Sequence, residues 1–221
     1  MSRSPLARPP TAPDDRGQAH TLEAFVAAIL LVAGLTFALQ ATAVTPLSAS
    51  TSNQHIENQQ RAAATGLLET SAANGDLRDA VLDWHPGNAT VERGFDASTE
   101  ERAYYTGGGP PNAFGDALDR TFLDRRIAFN VYVQYHDSSA KGGDKPVKRQ
   151  VMVDMGSPSD NAVTASRSIT VSNDATLTAD GFEERTLEAV DADPNERFYA
   201  PPVDDGPIYN HLEVRIVVWR M

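Results

Sequence analysis

The spacing of apolar residues changes twice along the chain. From Ala24 to Val44 nothing is charged, and only Thr36, Gln40 and Thr42 are appreciably polar. Phe25, Ile29, Leu30, Leu31, Leu35 and Phe37 fall on every side of a helix, so the run has no polar face to turn toward water. About 21 residues rising ~1.5 Å each span ~31 Å, one hydrocarbon thickness, which predicts a membrane-crossing helix. From Ser50 to Ala73 (STSNQHIENQQRAAATGLLETSAA) the pattern becomes one-sided. Ile56, Ala63, Leu67 and Leu68 recur at helical spacing among polar residues. Pro46, between the two runs, removes one backbone hydrogen bond and crowds the preceding turn, so a kink or a break is expected there.

Asn74-Gly75 reads as a helix stop, followed by a short helix over Asp76–Trp84 and a loop-rich stretch to Pro111 that contains GGGPP. Asn112–Arg126 is amphipathic, with Phe114, Leu118 and Phe122 on one face. Period two then takes over. IAFNVYVQY alternates over Ile127–Tyr135, and VKRQVMVDM places Val147, Val151, Val153 and Met155 at odd positions, which reads as a hairpin with a long loop. Ser166–Ser172 and Ile208–Met221 supply a third and a fourth strand. Helices first and antiparallel strands afterwards predict an α+β fold: a long N-terminal helix, then a mainly antiparallel sheet buried on one face. The expected organisation is a leader over 1–17, a transmembrane helix over 18–45, a helix extension over 46–75 and a head domain over 76–221.

Charge narrows the partners. The formal net charge is −11, and Lys141, Lys145 and Lys148 are the only lysines. Nucleic acid is not expected as a partner, because phosphate binding needs a clustered basic surface. An acidic, lysine-poor composition fits a high-salt environment, where screening relieves self-repulsion. There is no cysteine, which excludes disulfide scaffolds, thiolate metal sites and cysteine nucleophiles.

The leader Met1–Gly17 (MSRSPLARPPTAPDDRG) is Pro-rich and charged and lacks the apolar region of a secretory signal. Arg3, Arg8 and Arg16 precede the apolar run, and no basic residue follows it until Arg61. The positive-inside rule therefore places the N-terminus in the cytoplasm and the C-terminal part outside. Glu23 sits just inside the apolar edge, where a carboxylate is costly unless something outside the helix uses it.

These residues, GQAHTLEAFVAAILLVAGLTF after a short charged leader, resemble the class III signal segment of archaeal type IV pilins and pilin-like proteins. The resemblance covers Arg16–Leu39, and the rest looks like an uncharacterised haloarchaeal pilin-like family. It implies cutting by a prepilin peptidase between Gly17 and Gln18. It also implies assembly with other pilin-like subunits through the apolar helix and the pilus machinery, with membrane lipid around the helix beforehand. Glu23 would pair with the freed amine of a neighbouring subunit, and His20 stands close enough to share that pairing. Glu23 is sixth in a chain starting at Gln18, whereas the common pattern has it fifth; a cut after Gln18 restores the count but not the glycine before the cut.

Asn88-Ala89-Thr90 is an N-glycosylation triplet in an expected exterior loop. Gly107–Gly109 lack the spacing and the Lys-Ser/Thr of a phosphate loop and read as a turn before a helix. His20, His55, His85, His136 and His211 show no metal-ligand spacing, and no nucleophile elbow is present. Asp191–Asp205 reads as a solvated acidic loop without calcium-loop spacing. No cofactor, metal or catalytic residue is expected. Two function classes stay open: a filament subunit, most simply a minor pilin, or a single-span anchored binding, adhesion or secretion-accessory module that does not polymerise.

Overall fold

The computed structural model describes residues 15–87, 92–98, 102–138 and 146–221, with only the backbone described at 15–19 and 41–53. Helix α1 (Asp15–Asn74) runs for 60 residues and continues through Pro46, so the proline does not break it. The chain divides into two compact units, Met1–Ser52 and Asn53–Met221. The folded head therefore includes the last part of α1, rather than beginning at residue 76.

Within the first unit, His20–Gln40 is exposed along its whole length, with Leu31 and Phe37 each 75% exposed. Within the second unit the same helix is one-sided. Gln60, Ala64, Leu67, Leu68 and Ser71 are buried, a stripe at helical spacing that faces the core. Gly75 ends the helix at φ 93°, a left-handed conformation that glycine adopts without steric cost. A side chain there would meet only open space, so backbone conformation alone asks for glycine.

Helix α2 (Asp76–Leu82) buries Leu77, Ala80, Val81 and Leu82. It stops short of Trp84, which belongs instead to a two-residue strand, β1 (Trp84–His85), paired antiparallel with β2 (Gly94–Phe95). The Trp84 ring meets Phe95 and Tyr199 edge-on at 5.3 and 5.1 Å, and its Nε1 donates to the Arg197 carbonyl at 2.9 Å. Helix α3 (Ala113–Thr121) is capped by Asn112, whose side-chain oxygen accepts from the Gly115 N–H at 3.1 Å. A 3-10 turn over Leu123–Arg125 follows.

Four antiparallel strands form the main sheet: β3 (Ile127–His136), β4 (Val147–Asp154), β5 (Val163–Ser172) and β6 (Ile208–Arg220), in the order β4-β3-β6-β5. On β3 the odd positions face the core: Phe129, Val131 and Val133 are fully buried. They lie opposite Val218, Ile216 and Val214 of β6. On β4 the alternation breaks. Val131 pairs with Val153 but Tyr132 pairs with Val151, so Met152 is the extra residue of a bulge. Met152 and Val153 are both buried, while Val151 shares the face of Tyr132 and Val147 is 53% exposed. The expectation that Val147, Val151, Val153 and Met155 share one side is corrected by that single residue, which flips the phase.

Helix α4 (Leu187–Ala192) was not anticipated; Thr186 caps it through a bond from the Ala189 N–H at 3.2 Å, and Leu187 and Val190 are buried. The acidic run after it is likewise not simply a solvated loop. Phe198 and Ala200 are buried there, and Arg185 pairs with Glu196. The core lies on one face of the sheet, with buried residues from α2, α3, α4 and the last part of α1. The other face carries Tyr132, Arg149 and Arg215, with the Arg149 guanidinium 4.4 Å from the Tyr132 ring centre.

Because Leu68 is 1% exposed and Leu31 is 75% exposed, the two leucines of α1 are expected to behave differently. Leu68→Ala should destabilise the head by about 2–5 kcal/mol through lost burial and a residual cavity. Leu31→Ala should leave head stability unchanged. Denaturant unfolding of the detergent-solubilised chain, followed by tryptophan fluorescence, measures both.

Candidate functional site

The expected processing and assembly residues lie at the start of α1. Gly17 and Gln18 fall within its first turn, so the bond between them has helical backbone. His20 and Glu23 stand one turn apart, with Nδ1 and Oε2 separated by 3.7 Å and both side chains more than 80% exposed. The structure thus brings His20 beside Glu23 at the N-terminal border of His20–Gln40, the one helical segment among the described residues long and apolar enough to cross a membrane. An apolar surface of this size, exposed on all sides, needs lipid or protein around it. Asn88 lies outside the described residues.

The head holds a polar cluster that the sequence did not announce. Asp83 is 7% exposed, and its Oδ2 accepts from Asn112 Nδ2 at 3.0 Å. Its carbonyl accepts from the Asp96 N–H at 3.1 Å. His85 Nε2 stands 2.8 Å from Asp96 Oδ1, and the Tyr105 hydroxyl donates to the Asp96 carbonyl. His85 Nδ1 is buried without a partner; a hydrogen on Nε2 leaves a bare lone pair there, which costs less than an unpaired N–H. Asn112 therefore ties the α3 cap to the β1–β2 hairpin. Burial pushes the Asp83 carboxyl above the ordinary carboxylate range; Asp96 and Asp180 add to this, while the Asn112 bond and His85 oppose it. Burial likewise raises the Tyr105 hydroxyl.

Beside this cluster is a cavity of about 280 Å³ lined by Ala97, Ser98, Tyr104, Tyr105, Thr106, Gly107–Gly109 and Asp119. The GGG run thus leads into α3, as a turn before a helix should, and also forms a wall. Two glycines are required by packing. A side chain on Gly109 would lie 2.5 Å from the Gly115 Cα, and one on Gly115 would lie 1.7 Å from the Pro110 carbonyl oxygen. Asp119 Oδ1 accepts from the Gly109 N–H at 3.0 Å and holds the loop against α3. Ala97 is left-handed at φ 53°, uncommon for a residue with a side chain, and its N–H is held by Asp96 Oδ1 at 2.9 Å.

The histidines are dispersed. His85 joins the cluster, while His136 and His211 line a second cavity of about 230 Å³ with Gln134 and Glu213. Among the described residues no three His, Asp or Glu side chains gather as a metal would require.

Fold and segment together define the class: an α+β protein with one exposed apolar N-terminal helix and an antiparallel sheet. Residues 16–218 match DUF7288, a family of unknown function, and the chain belongs to that family. The matched span takes in the apolar segment as well as the head. No curated protein and no solved structure matches the chain.

The Asp83 shift sets a pH dependence. A carboxyl held above its unfolded value binds its proton more tightly in the folded state, so its stabilising contribution is full below the ordinary carboxylate value. That contribution is lost as pH rises through the raised value. Asp83→Asn keeps an oxygen for Asn112 Nδ2 and removes the buried charge. It should make the head more stable at neutral pH and flatten the fall of stability above pH ~4, as thermal unfolding across pH measures.

Proposed function

We propose that the chain is a pilin-like structural subunit of a cell-surface filament, processed by a prepilin peptidase at Gly17–Gln18 and assembled through the apolar part of α1. The observation that carries this reading is the exposed apolar segment His20–Gln40 with Glu23 at its border, joined to a folded head. A segment meant only to sit in lipid gains nothing from a carboxylate at its edge. One meant to pack against neighbouring copies gains a partner for a neighbour's cation and a fixed register. Before assembly the same helix is a single-pass anchor, with the N-terminus cytoplasmic and the head outside.

The cavity beside Gly107 favours a second reading, an anchored binding module that does not polymerise. Two variants separate the readings. Gly17→Val should leave a form about 17 residues heavier in the membrane, because the peptidase site needs a small residue; equal mature masses for both proteins would oppose processing. Glu23→Ala should leave processing and membrane insertion intact yet remove the protein from the sheared extracellular fraction. Breaking one side of a desolvated pair costs about 3–5 kcal/mol, repeated at each subunit contact. Equal amounts of wild type and variant in that fraction would favour the anchored module.

A further inference from the structure

The glycine run shows which of its residues the fold needs. Gly109 and Gly115 are required by the close approach of loop and helix. Gly107 is not: a side chain there would meet nothing within 4 Å, and its backbone is not left-handed. Gly107 lines the cavity, so neither packing nor backbone conformation accounts for the missing side chain there.

The walls define what could enter. Asp119 is half-buried and supplies a carboxylate, of which Oδ1 already accepts from Gly109. Ser98 and Thr106 supply hydroxyls that both donate and accept. The Tyr105 hydroxyl donates to the Asp96 carbonyl, and Tyr104 and Tyr105 are the aromatic residues of the lining. Among the described residues no lysine, arginine or histidine lines the cavity, so none of them would neutralise an anion there. Ala97, another lining residue, is left-handed and held by a side-chain bond, a local backbone cost of the kind that gathers at binding sites. The described lining residues, with mixed donors and acceptors, one carboxylate and aromatic rings around a small open hollow, match a neutral polyhydroxylated ring. Hydroxyls would donate to Asp119 and exchange bonds with Ser98 and Thr106, while ring C–H faces lie on tyrosine.

We propose that this cavity binds a single neutral sugar residue. The proposal is independent of assembly through α1, and its failure would leave the filament reading untouched.

The test uses the full chain in a sugar-free zwitterionic detergent, with glucose, galactose, mannose and N-acetylglucosamine and their methyl glycosides as probes. Saturation-transfer NMR should detect at least one of them at millimolar concentration. Preference for the methyl glycoside assigns the site to a glycan end, and preference for the free sugar to a soluble ligand. Gly107→Val, which fills open space without backbone strain, should weaken binding about tenfold or more with unchanged thermal unfolding. Asp119→Asn, which keeps an acceptor for Gly109, should weaken it as well. Absence of binding by every probe, or equal binding by wild type and Gly107→Val, would overturn the proposal. So would binding of choline, a cationic probe, in place of the sugars.

Discussion

The head depends on the antiparallel ladder between β3 and β6. Nine residue pairs run from Ile127–Arg220 to Tyr135–Leu212, and the two strands occupy the centre of the sheet. Phe129, Val131 and Val133 on one side of this ladder, with Val214, Ile216 and Val218 opposite, form the floor on which the other elements pack. The ladder joins the middle of the chain to its last strand, so the floor is complete only when long-range contacts close. That ordering raises the chain-entropy cost of forming the head and makes its unfolding a collective event.

One helix meets two different surroundings. Between His20 and Gln40 α1 is apolar on every side and exposed. Beyond Asn53 it turns a stripe of Gln60, Ala64, Leu67 and Leu68 into the core and leaves the rest to solvent. The first pattern satisfies backbone hydrogen bonds internally and, between Ala24 and Leu39, offers an almost wholly apolar surface outward. The second anchors the helix to the head through burial. A single α-helix can do both because its backbone bonds are local and indifferent to what surrounds the side chains.

The polar cluster behind Tyr105 shows why the loop-rich stretch holds together without long strands. Asn112 caps α3 and reaches Asp83, the Asp83 carbonyl takes the Asp96 N–H, and Asp96 in turn holds His85 and the turn at Ala97. Apart from His85 Nδ1, which is buried without a partner, these polar groups are matched by neighbours from other parts of the stretch, which replaces the regular ladder such groups would otherwise need. The same chain of bonds fixes the wall of the cavity, so rigidity and openness arise together there.

Local repetition made much of this legible. The all-round apolar run, the helical stripe that includes Leu67 and Leu68, the Gly75 stop, the Asn112 helix and the existence of four main strands follow from periods of 3.6 and 2 and from turn residues, which act over a few residues. The sequence therefore determined the class, the N-terminal segment and the number of main strands. It could not determine that Met152 is a bulge, because one inserted residue is visible only against the partner strand. Nor could it place Trp84 on a strand rather than at a helix end, bury Phe198 within an acidic run, or bring Asp83, His85, Asp96 and Asn112 together, the first and last of them 29 positions apart. Those outcomes depend on which surfaces meet after the chain closes on the β3–β6 ladder. Contacts between distant residues carry no period, and only the tertiary structure decides them.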